Sequence, residues 1–126
     1  MRRRATATVE LAVTLPALIL LVFGAIEIAN FIFLKQAATL AAYETARAAT
    51  SRGASAAYAT SKGQQALASR NVSQAQVDLS PQVTALTPSG TELTATVTVP
   101  SSSNTFGFAW FTGGYNVVAS VKMIRF

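Results

Sequence analysis

Five carboxylates are the side chains here best suited to proton or metal chemistry: Glu10, Glu27, Glu44, Asp78 and Glu92. With neither histidine nor cysteine in the chain, the commonest general base and the commonest zinc ligands are both missing. An enzyme would have to use Glu44, Asp78 and Glu92, which form no paired-carboxylate motif, and no nucleophile elbow or phosphate-binding loop accompanies them. Asp78 and Glu92 could approach across a hairpin, although acids on strands are more commonly exposed and solvated. The sequence therefore predicts no enzyme, no cofactor, no metal site and no small-molecule substrate.

Glu10 and Glu27 pose a different question, because they flank or sit inside an apolar run. Residues 11–34 read LAVTLPALILLVFGAIEIANFIFL, with Glu27 the one ionisable group and Lys35 directly after. A helix of about 20 mainly apolar residues crosses a hydrocarbon core of about 30 Å. A cleavable secretory signal carries a shorter apolar region and then a small-residue cut site, so this run reads as an anchor that stays. The two acids are 17 positions apart, roughly 25 Å along a helix at 1.5 Å per residue. Each can then lie near one interface of the same span.

Composition agrees with that division. Of 126 residues, 51% are hydrophobic and 12% charged, against about 25% charged in ordinary soluble domains. The apolar surplus is concentrated in the one run. Of the net charge of +5, Arg2, Arg3 and Arg4 carry three, and no basic stripe interleaved with aromatics marks a nucleic-acid surface. The same three arginines, lying before the span with only Lys35 close behind it, predict a cytoplasmic N-terminus and an outward C-terminal part. A twin-arginine export signal does not fit the residues that follow, ATATVE.

Several features occur together over the first 50 residues: the basic tip Arg2 to Arg4, the small Ala5, Glu10 five positions on, Leu15-Pro16, Phe23-Gly24, Ile26-Glu27, and an Ala-rich stretch closing on Glu44-Thr45-Ala46-Arg47. In this combination the chain resembles TadE-like proteins, pilin-like components of tight-adherence (Flp-type) pilus systems. The resemblance implies a minor pilin or pseudopilin cut by a membrane prepilin peptidase between Ala5 and Thr6, with the apolar helix left on the mature chain. It implies Glu10 as the assembly residue, its carboxylate pairing with the new α-amino group of an adjoining subunit, since a bare carboxylate in hydrocarbon is costly. The implied partners are membrane lipid, the peptidase, other pilin-like subunits and the assembly machinery. Two departures stand out: Ala5 occupies a position that is usually Gly, and Leu11 follows the glutamate where an aromatic is common. The alternative is an unprocessed single-pass envelope protein whose outer domain binds a partner.

The elements that would position these residues make an α+β, pilin-like chain. The expected divisions are a basic leader at 1–5, a membrane and assembly helix at 6–34, an Ala-rich helical region at 35–70 and a small antiparallel β domain at 71–126. Pro16 either kinks a helix that begins near Thr8 or lies in the first turn of a helix capped by Thr14. Gly24, with Ala25 and Ala29, offers a close approach for another helix, and Glu27 a polar contact. Ala favours continuation of the helix past the interface, with Glu44 and Arg47 on one face and a break at Gly53 before a second helix reaching about Ser69. Asn71-Val72-Ser73 matches a glycosylation sequon, which in a bacterial-looking sequence reads as chance. Beyond it the period becomes two: Val77 and Leu79, then Val83 and Ala85, then Leu93, Ala95, Val97 and Val99, and finally Val117, Ala119, Val121 and Met123. About three strands are expected, with a turn at Pro88-Ser89-Gly90. Between the last two, Phe106, Phe108, Trp110, Phe111 and Tyr115 either form a partner-contact loop or interfacial belt, or cover the end of the sheet, the plainer reading.

Overall fold

The computed structural model describes residues 2–106 and 109–126. Helix α1 runs unbroken over Arg2–Thr50, α2 over Ala56–Ala68, and three strands follow: β1 Gln76–Ser80, β2 Glu92–Pro100 and β3 Asn116–Ile124. The fold is α+β, with a sheet in the order β1-β2-β3, antiparallel throughout.

Helix α1 changes character along its length. Below residue 24 every described side chain is exposed, and threonine hydroxyls turn back onto the helix, Thr6 to the Arg2 carbonyl and Thr14 to the Glu10 carbonyl, each at 2.9 Å. Such back-bonding satisfies a hydroxyl without water. Pro16 lies inside the helix, so Thr14 does not cap a helix start there. From Leu34 upward a stripe is buried: Leu34, Ala37, Ala38, Ala41, Ala42, Thr45, Ala46 and Ala49. Spacings of three and four place these on one face, and methyl side chains let the sheet and α2 come close.

Both helix ends use left-handed residues. Gly53, at φ +77°, turns the chain after α1, and Ser55 then caps α2 by accepting the Tyr58 N–H at 3.2 Å. Asn71, at φ +56°, ends α2, and the Val72 N–H donates to the Leu67 carbonyl at 3.1 Å, which tucks Val72 into the core. Gly63 is where α2 meets α1: a Cβ there would lie 2.1 Å from Thr45 Oγ1 and 3.2 Å from the Ala41 carbonyl.

The period-two reading of β2 holds residue by residue. Leu93, Ala95, Val97 and Val99 are fully buried while the threonines between them are half-exposed. Opposite them stand Met123, Val121, Ala119 and Val117 of β3. One expectation fails here. Residues 83–85 form no strand: Val83 is buried beneath the sheet, but Ala85 is exposed in an eleven-residue connection, 81–91, which Pro81 opens by removing a ladder donor. Among the described residues Lys122 and Glu92 form an ion pair, at 3.1 Å.

Candidate functional site

The acids do not converge. Asp78 faces Thr96 across the sheet, while Glu92 stands four positions further along β2 and pairs with Ile124, about 13 Å away at strand rise. Glu92 is engaged by Lys122. Among the described residues no group of three His, Cys, Asp or Glu side chains gathers in a way that could hold a metal.

What the structure does build lies on α1, in two places. The first is the N-terminal tip. The Ala5–Thr6 bond lies in the opening turns of the helix, and Ala5, Thr6 and Glu10 are all exposed. First turns fray readily, because their N–H groups have no partners within the helix, so an extended stretch around this bond is accessible at small cost. Among the described residues no Lys or Arg side chain forms an ion pair with Glu10.

The second place is Glu27, which is 4% exposed although the helix around it is largely bare. The loop between β2 and β3 reaches down and covers it. The backbone N–H of Trp110 donates to Glu27 Oε1 at 2.6 Å, and that of Phe111 donates to Oε2 at 3.0 Å. Two successive amides holding the two oxygens of one carboxylate form a small anion nest, with charge-assisted bonds of the stronger kind. A buried carboxylate is costly without such partners. Gly24, one turn below, opens a cleft of about 240 Å³ that Phe23, Trp110 and Phe111 also line. No other helix occupies it among the described residues.

Asparagines hold the loop's stem, and sequence reasoning missed them. Asn104 accepts the Ser73 N–H at 2.7 Å and donates to the carbonyls of Ser73 and Pro100, both at 2.9 Å. Its own carbonyl accepts from Asn30 Nδ2 of α1 at 3.0 Å. Ser101, 1% exposed, closes the stem by donating from its hydroxyl towards the Thr112 and Tyr115 carbonyls. The available signal was Asn30, a polar residue inside the apolar run, three positions after Glu27 on the same face.

The loop's rings turn outward. Phe106, Trp110, Phe111 and Tyr115 are 64–78% exposed, so they do not cover the end of the sheet as the plainer reading had it. A loop bound through its backbone to α1 has no reason to fold its side chains inward. Phe108 lies outside the described residues.

Among the described residues α1 is the one helix long and apolar enough to cross a membrane, and 11% of its apolar window is buried, unlike the core helix of a globular domain. In comparison with known proteins, residues 5–47 match the family model described as TadE-like protein. That match spans about a third of the chain, and it begins just after the basic tip and contains Ala5, Glu10, Glu27 and most of the alanine stripe. No curated protein and no solved structure matches the chain.

Proposed function

We propose that this chain, whose residues 5–47 match the TadE-like protein family model, is a pilus-associated minor pilin or pseudopilin: a prepilin peptidase cuts it between Ala5 and Thr6, and it packs into the assembly through its N-terminal helix. One observation carries this reading. The apolar half of α1 is uncovered by the protein's own domain, and Glu10 stands exposed beside it with no ion-pair partner among the described residues.

The cut removes the three arginines and creates an α-amino group at Thr6. In hydrocarbon that ammonium and a neighbour's Glu10 carboxylate each lower the other's cost, so docking in register is favoured over random helix contact. Before the cut the same helix is a single-pass anchor in the cytoplasmic membrane, with the N-terminus inside and the α2–sheet domain outside. The domain built on residues 34–126 adds bulk that a bare shaft helix lacks, which favours a low-copy accessory place in the pilus.

The test is the intact mass and N-terminal sequence of the protein taken from its native membranes. A chain beginning at Thr6 is expected. A chain that keeps Arg2 to Arg4 would overturn the processing step and favour an unprocessed envelope protein whose outer domain binds a partner.

A further inference from the structure

We propose that the loop between β2 and β3 is a membrane foot: Glu27 clamps it against α1 at the outer edge of the bilayer, and its exposed rings enter the lipid headgroup region.

The depth follows from helix arithmetic. A hydrocarbon core takes about 20 helical residues. Counted from Arg4, the last arginine of the tip, the outer edge falls at Gly24; counted from Glu10, it falls at Asn30. The Trp110 and Phe111 amides bind Glu27, midway between these limits, and the Asn104 stem binds Asn30 at the upper one. Either count leaves the loop at the interface.

The chemistry at that level suits lipid rather than water. Phe106, Trp110, Phe111 and Tyr115 stand 64–78% exposed, and on α1 beside them Ile28 and Ile32 are 62% and 51% exposed. This apolar collar is continuous with the bare helix below it, whose surroundings are lipid. Trp and Tyr concentrate at such interfaces because each ring carries a polar edge. Above the collar Arg70 shares a cleft with Phe33 and Phe106, which places a cation at the height of the lipid phosphates.

The clamp also accounts for Glu27. A carboxylate at the edge of hydrocarbon needs hydrogen-bond donors, and the loop supplies two from its backbone. Both donors are backbone N–H groups, so the clamp itself uses no ring atom.

Trp110 is the single tryptophan of the chain, so its fluorescence reports the foot alone. The full chain would be reconstituted at low protein-to-lipid ratio in phosphatidylethanolamine–phosphatidylglycerol vesicles. Its emission would then be quenched by lipids brominated at graded acyl positions and, separately, by aqueous acrylamide. Expected is strongest quenching by the bromine nearest the headgroup and weak quenching by acrylamide, with acrylamide quenching rising several-fold in Glu27→Ala. Free access of acrylamide to Trp110 in the unaltered chain would overturn the proposal. So would shielding from both quenchers, the mark of a protein partner or a second copy over the rings. Lipid quenching that Glu27→Ala leaves unchanged would overturn the clamp. None of these readouts depends on whether Ala5–Thr6 is cut.

Discussion

Replacing Gly63 by Ala sets two well-measured effects against each other. In a helix interior Ala is better than Gly by about 0.8–1.0 kcal/mol, so local propensity predicts a more stable α2. The structure predicts the reverse. The new methyl would lie 2.1 Å from Thr45 Oγ1, 3.1 Å from Val77 Cγ1 and 3.2 Å from the Ala41 carbonyl oxygen. The nearest atom cannot simply swing aside: Thr45 is β-branched and fully buried, and its hydroxyl donates to that same Ala41 carbonyl at 2.8 Å. Helix α2 must move off α1, at an overpacking cost of typically about 1–3 kcal/mol. The net expectation is a loss of up to about 2 kcal/mol, or several degrees in Tm at about 4–8 °C per kcal/mol for a domain of this size. Thermal unfolding of the full chain in detergent, followed by near-ultraviolet circular dichroism, measures it. Thr45→Ala removes the offending oxygen, so the double variant should recover most of the loss, with a coupling of about 1 kcal/mol or more. A higher Tm for Gly63→Ala alone, or strict additivity of the two substitutions, would refute the account of how α2 packs.

Three further expectations use the same measurement unless stated. Leu93→Ala empties a fully buried position between α1 and the sheet and should cost about 2–5 kcal/mol; a loss under 1 kcal/mol would mean the core can collapse around it. Lys122→Ala breaks the one ion pair among the described residues, but its side chains are 70% and 61% exposed, so a change below about 1 kcal/mol is expected and a larger one would point to an undetected network. Asn104→Ala removes the side-chain ties to Ser73 and Pro100 and should speed amide exchange at Trp110 and Phe111 far more than in β2, because the loop stem loosens while the sheet stays paired.

Much of the fold was legible because its signals are local. The alternation in 93–99 specifies a strand with one buried face, and Gly53 and the Ala-rich stretch specify where one helix ends and how far it runs. The failures came where a distant partner decides. Val83 belongs to the core by contact with the helices and sheet, not by strand pairing, and period two cannot tell these apart. The ring-rich segment between β2 and β3 looked like a cover because aromatics are usually buried. Nothing local shows that two of its backbone amides are held by Glu27, more than eighty residues earlier in the chain. Glu27 and Asn30 were the legible half of that contact, since polar groups within an apolar helix require partners; the other half is backbone, which any sequence supplies.

The proposed docking through Glu10 and the proposed seating of the loop in lipid would make opposing demands, and their conflict can be measured. If the Thr6 ammonium of one subunit pairs with Glu10 of another, the two helices are offset by four residues, about 6 Å along the axis. The incoming subunit therefore sits lower or the earlier one is raised, and growth from the membrane raises each subunit by that increment. A lift of about 6 Å at every step carries the collar around Glu27 out of the headgroup region after a step or two. Fully transferring one such ring between lipid and water is worth up to about 1.5–3 kcal/mol, so four exposed rings oppose extraction by several kcal/mol. Trp110→Ser with Phe111→Ser removes two of them and leaves both backbone donors to Glu27 in place. In cells competent to build the pilus, this double variant should shift the protein from the membrane fraction towards sheared pili, while Glu10→Ala should hold it in the membrane. A double variant that partitions as the unaltered chain does would mean the rings do not restrain extraction, and that docking at Glu10 alone sets where the subunit resides.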